Sequence, residues 1–144
     1  MEIKLKDNER IEDLQCKGLK IIQNKKWFCF GMDAVLLTNY CDIRNNSKIV
    51  DLGTGTGIIP ILLSGKRNYS KAYGIEIQPE VAEMAERSVK LNSLQEKIEI
   101  LNIDVKDTLK YLDAGSFDAV ISNPPYKLNN SGIITKDDNG NYEM

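Results

Sequence analysis

The chain has 144 residues, 42% hydrophobic and 28% charged, which suits one domain with a core and is too short for two ordinary ones. It contains no histidine, which excludes His-dependent triads, the commonest metal ligand and the usual neutral-pH general base. A net charge of −2 argues against a general coat for nucleic acid, and no apolar run approaches membrane-spanning length.

Residues 1–16 are polar, with little periodicity, and predict an N-terminal arm or short helix rather than a signal peptide. Leu19–Gln23 and Trp27–Phe30 are short β-like runs around Asn24-Lys25-Lys26, which predicts a hairpin. Lys17, Lys20, Lys25 and Lys26 form a basic stretch without an acid, followed by Trp27, Phe28 and Phe30. Such a stretch fits phosphate gripping and base stacking, and equally a solvated hairpin with core aromatics. Met32 to about Cys41 reads as a helix with Asp33 placed to cap its start. Cys16, Cys29 and Cys41 lack Cys-x-x-Cys spacing, so reduced, mostly buried thiols of a cytoplasmic protein are expected, with no metal site.

From Lys48 the pattern changes. Lys48–Leu52 reads as a buried strand, Gly53–Gly57 as a tight turn, and Ile58–Leu63 as the opening of a helix. Ala72–Ile77 is a second strand, and Pro79–Leu91 a helix with proline in its first turn and one apolar face. Lys97–Asn102, a short helix over Val105–Leu112 and a strand over Phe117–Ser122 follow, then a polar tail. Alternating helices and apolar strands without clean period-two patterning predict an α/β fold, a parallel sheet with helices on both faces.

The strand ends carry the chemistry. Asp51-Leu52-Gly53-Thr54-Gly55-Thr56-Gly57 lets the backbone turn sharply and leaves room for a ligand. Its spacing is neither the dinucleotide G-x-G-x-x-G nor a Walker loop. Glu76, at the end of the second strand, suits the two hydroxyls of a ribose. Asp104, at the end of the third, suits an adenine amine or, equally, the cap of the next helix. Asn123-Pro124-Pro125-Tyr126 ends the fourth strand. There an amide oxygen and the Pro124 carbonyl can accept both protons of an exocyclic amine, and the Tyr126 ring can stack on its plane. The competing reading is an ordinary turn. In open α/β sheets ligands bind at such strand ends, at the topological switch point.

Together these motifs resemble S-adenosylmethionine-dependent methyltransferases that modify a planar nitrogen. Gly18–Gln23 and Phe28–Leu37 are most similar to the bacterial valine-tRNA adenine-37 N6-methyltransferases. The resemblance implies a Rossmann-like class I fold with a short N-terminal α/β extension. The implied division is residues 1–47 as extension, 48–127 as cofactor-binding core and 128–144 as polar tail.

It also implies S-adenosyl-L-methionine as cofactor, held by Asp51, Gly53, Thr54, Gly55, Gly57, Glu76 and Asp104. Asn123, Pro124 and Tyr126 would hold the target adenine of a cytoplasmic tRNA, with no role for a membrane. Drawing both amine protons into hydrogen bonds concentrates the nitrogen lone pair toward the methyl donor, so no strong base is needed.

Family members have seven strands, whereas the expected sheet here has four and an incomplete C-terminal half. A shortened chain, a homodimer through an exposed sheet edge, and a noncatalytic cofactor- or RNA-binding module are therefore further expectations. Glutamine-amide methylation of a protein is the alternative reaction.

Overall fold

The computed structural model describes residues 3–27 and 31–123, together with the backbone of two short strands at 135–136 and 142–143. At its centre lies a four-stranded parallel sheet of β3 (Lys48–Leu52), β4 (Lys71–Ile75), β5 (Ile98–Leu101) and β6 (Ala119–Ser122), ordered β5-β4-β3-β6. The chain therefore steps outward from β3 to β5 and returns to the other side of β3 for β6. That reversal puts a switch point between the ends of β3 and β6. The strands begin and end within a few residues of the sequence expectation, and every pairing is parallel.

The helices α1 (Met32–Tyr40), α2 (Ile58–Lys66) and α3 (Pro79–Leu91) share one core with a face of this sheet. Six consecutive residues of α2, Ile58 to Leu63, are buried, as expected of a helix packed on several sides. Its Ile61, Leu62 and Leu63 meet Ile49, Ala72, Ile98 and Ile100 of the strands in that core. Each such aliphatic side chain contributes about 1.5–3 kcal/mol by leaving water.

On the opposite face lie Val50 and its register partner Val120, the 3-10 turn Val105–Asp107 and α4 (Thr108–Tyr111). The expected helix over Val105–Leu112 is thus two short pieces. Val50, Leu52, Val105, Leu109, Phe117 and Val120 line an open apolar depression of about 430 Å³ there, and Val120 is 62% exposed.

The N-terminal region departs from expectation. The predicted arm is a strand, β1 (Glu9–Asp13), and it pairs antiparallel with β2 (Lys20–Asn24), from Glu9↔Asn24 to Asp13↔Lys20. The hairpin therefore turns at residues 14–19 and not at Asn24-Lys25-Lys26. β1 has Ile11 as its one aliphatic residue, so its strand character comes from the ladder with β2 and escapes pattern reading. Trp27 lies in the turn after β2, and the rest of the run Trp27–Phe30 is outside the described residues.

Two charged contacts fasten the hairpin to α3. Arg87 donates to both oxygens of Glu9 (2.7 and 2.5 Å), and Lys6 pairs with Glu83 at 2.9 Å.

The start of α1 is also corrected. Its N-cap is Gly31 without any side-chain cap, and Asp33 sits in the first turn, where a negative charge favours the helix dipole. At its other end Arg67 donates to the carbonyls of Cys41 and Asn39. In the polar tail, β7 (Thr135–Lys136) pairs antiparallel with β8 (Tyr142–Glu143).

Candidate active site

The loop after β3 is built on left-handed glycines. Gly53, Gly55 and Gly57 have φ of 73°, 59° and 83°, a region costly for residues with a Cβ. A Cβ at Gly53 or Gly55 would meet nothing within 4 Å, so the loop's outer surface is open to a ligand. Gly57 is the N-cap of α2, which points that helix's N-terminus at the same place.

The neighbouring strands hold the loop from behind. Thr54 donates its N–H to the Ile75 carbonyl at 2.8 Å, and Gly57 donates to Thr54 at 3.0 Å. The Glu76 carboxylate accepts the N–H of Gly55 with one oxygen and that of Gln78 with the other, both at 3.0 Å. Asn102 secures Glu76 in turn, its side-chain amide donating to the carbonyls of Glu76 (2.9 Å) and Ile77 (3.0 Å). Gly74 gives the Thr54 side chain its seat, for a Cβ there would lie 2.9 Å from Thr54 Cγ2 and Oγ1 and from Ile100 Cδ1.

Asp51 is the anomaly. It is 1% exposed, and neither carboxylate oxygen has a hydrogen-bond partner among the described residues; nor has Thr54 Oγ1. Burial pushes its pKa up to about 7; the nearby Thr54 hydroxyl opposes the rise without reaching hydrogen-bonding geometry, and the charge of Glu76 adds to it. A buried carboxylate without donors is costly, and a donor arriving at the loop would relieve that cost.

Asn123, half-buried, leaves β6 on the same edge. Leu52 and Ser122 are register partners, so the residues that follow, Gly53 and Asn123, emerge side by side at the switch point. Asp104 lies three residues beyond β5 and caps the 3-10 turn, accepting the Lys106 N–H at 3.0 Å, so the capping alternative is realised. Pro124 and Tyr126 lie outside the described residues.

The strand ends thus bring together Asp51, Gly53, Thr54, Gly55, Gly57, Glu76 and Asn123. Sequence reading missed Asn102 and Gly74. Asn102 has no local signature, whereas a glycine inside a strand does signal close approach of another group. Among the described residues no group of three His, Cys, Asp or Glu side chains is arranged to hold a metal ion. No helix among them is long and apolar enough to cross a membrane.

Solved structures share this architecture. Trm5 of Methanocaldococcus jannaschii, solved in complex with adenosine, superposes with a TM-score of 0.65 over 86% of this chain and 37% of its own, at 23% identity. M. capricolum TrmK, solved with S-adenosyl-homocysteine, has a TM-score of 0.56 over 66% of this chain and 41% of its own, at 20% identity. The fold is therefore the Rossmann-like one of class I methyltransferases.

Among curated proteins, the tRNA1(Val) (adenine(37)-N6)-methyltransferase of Bacteroides thetaiotaomicron is 31% identical over 78% of this chain and 46% of its own length. The protein of that name from Phocaeicola vulgatus is 31% identical over 67% of this chain and 39% of its own. The chain spans about half the length of the curated relatives it matches, or less. The family model described as "Methyltransferase small domain" matches residues 31–136, most of the sequence, and the chain belongs to that family.

Proposed function

We propose that this chain is the cofactor-holding part of an S-adenosylmethionine-dependent enzyme that methylates the N6 amine of an adenine in tRNA. The observation that carries the reading is the pairing at the switch point. An open glycine loop over a buried carboxylate that has no hydrogen-bond partner among the described residues leaves β3 directly beside Asn123 at the end of β6. When bound, S-adenosylmethionine supplies an electrophilic methyl group. Asp51 and Thr54 offer acceptors beneath the loop, Gly53, Gly55 and Gly57 give the backbone room, and Glu76 keeps lone pairs beyond its two backbone bonds for ribose hydroxyls. Asp104 stands at the third strand end, where an adenine amine would lie. Asn123 accepts one proton of the substrate amine, the Pro124 carbonyl the other, and Tyr126 stacks on the base. A target adenine has to leave its loop to reach this edge.

The relatives' name makes valine tRNA in the cytoplasm the first substrate to offer. Residues 1–47 then serve as an extension, 48–127 as the core and 128–144 as a tail. β6 is an outer strand of the sheet among the described residues, and a homodimer through it would read in sedimentation as a doubled mass.

The test combines a tritiated methyl-transfer assay on unmodified valine tRNA with calorimetric titration of S-adenosyl-homocysteine. Asn123→Ala is expected to cut transfer at least tenfold while leaving cofactor affinity within about twofold. Equal loss of both would sink the assignment of Asn123 to the substrate amine. Cofactor binding without transfer by the unaltered chain would leave a binding module.

A further inference from the structure

The basic stretch Lys17–Lys26 looks continuous in sequence, but β2 runs through it and parts its lysines between the two ends of that strand. β2 runs antiparallel to α3. The Lys20 N–H is bonded to the Asn92 side chain just beyond the C-terminus of α3, and the Ile22 N–H to Ser88 one turn higher. The turn at residues 16–18 lies against Gly65 near the far end of α2, where a Cβ would meet Cys16 and Leu19 at under 3 Å. Lys17 and Lys20 therefore sit at the edge where the parallel strands begin. Lys25 and Lys26, about 17 Å farther along at strand rise, lie level with the first turn of α3, which starts just after Glu76. That is the edge that carries the glycine loop and Asn123.

Lys25 and Lys26 are exposed. Neither ammonium takes part in an ion pair among the described residues, whereas Lys6, Arg10 and Arg87 are paired with Glu83, Glu12 and Glu9. The turn is firmly built: Lys25 donates its N–H to the Asn8 carbonyl at 2.8 Å and Lys26 to the Asn24 side chain at 2.9 Å. Two cations without an ion-pair partner among the described residues, on a fixed turn at the rim of a site, suit a polyanion better than a flexible loop would.

We propose that Lys25 and Lys26 grip the phosphate backbone of the RNA whose base enters the site, and that Lys17 and Lys20 take no part. This rests on the reading of the site as an RNA methyltransferase. Phosphate contacts of this kind set orientation and carry no sequence information.

The experiment measures fluorescence anisotropy of unmodified valine tRNA at several salt concentrations, with S-adenosyl-homocysteine titrated into the same proteins. The double variant Lys25→Ala/Lys26→Ala is expected to lose about tenfold in tRNA affinity and to flatten the salt dependence by about 1.5 in log–log slope, two phosphate contacts' worth. Lys17→Ala/Lys20→Ala is expected to change neither, and both variants to keep their affinity for S-adenosyl-homocysteine. Equal losses in the two double variants, no loss in either, or no tRNA binding by the unaltered chain would overturn the proposal. So would equally tight, equally lysine-dependent binding of a DNA duplex. Lysine-dependent tRNA binding without methyl transfer would instead uphold this rim and defeat the reaction assigned above.

Discussion

Glu76 reaches back across the sheet edge to accept the Gly55 N–H at 3.0 Å, tying the tip of the glycine loop to the strand beside it. Its second oxygen takes the Gln78 N–H at the start of α3, so one carboxylate couples the loop, the end of β4 and the next helix. It is nearly buried, and bonds to a buried charged acceptor contribute more than neutral ones.

Removing that carboxylate is expected to loosen the loop before it unfolds the domain. Glu76→Ala should cost about 2 kcal/mol of stability and at least tenfold in affinity for S-adenosyl-homocysteine. Glu76→Gln, which keeps one acceptor oxygen, should retain most of the stability and less of the affinity. Urea denaturation and calorimetry separate the two, and unchanged affinity in both variants would remove Glu76 from the cofactor site.

Gly74→Ala tests the packing behind the loop. The added methyl lies 2.9 Å from Thr54 and from Ile100 Cδ1, closer than real contacts allow, so both side chains have to give way or the strand has to shift. Overpacking of this kind costs about 1–3 kcal/mol. Because Thr54 belongs to the loop, cofactor affinity should fall along with the thermal midpoint, and an unaltered midpoint would show that the seat is loose.

Asp51 gives stability a pH dependence whose sign is unusual for a carboxylate. Its folded-state pKa is raised to about 7 from 3.8, chiefly by burial. Between about pH 4 and 7 the folded protein keeps a proton that the unfolded chain releases. The group is therefore harmless below pH 4, and its destabilising effect grows as pH rises to about 7 and then levels off. The ceiling is about 4 kcal/mol. Asp51→Asn is expected to abolish this slope, so that its urea midpoints at pH 5 and pH 8 nearly coincide while those of the parent chain fall. Glu9 acts in a separate window with the opposite sign. The Arg87 hydrogen bonds hold its pKa below 4.5, so its contribution is present above that value and lost as pH falls below it. A parent chain without a slope between pH 5 and 8 would mean that Asp51 is solvated in solution.

Most of the sheet and its candidate edge was legible in the sequence because the signals are local. The β-branched run Lys48–Leu52, proline in the first turn of Pro79–Leu91 and glycines that favour positive φ act within a few residues. β1 was not legible, since its strand character depends on β2. Nor were the seat that Gly74 provides for Thr54 and the grip of Asn102 on Glu76, which are contacts between different strand ends.

The alternation of elements, the glycine loop and the acids that follow successive strands are local properties, set residue by residue by backbone sterics and hydrophobic pattern. Which of them meet depends on how the strands are ordered. Strand order put Asn123 beside Gly53, seventy positions apart in the chain, and left Asp51 buried without a donor among the described residues. It also parted Lys25 and Lys26 from Lys17 and Lys20. Packing β2 along α3 and closing β6 against β3 are long-range choices, set by the burial of apolar faces across the whole domain.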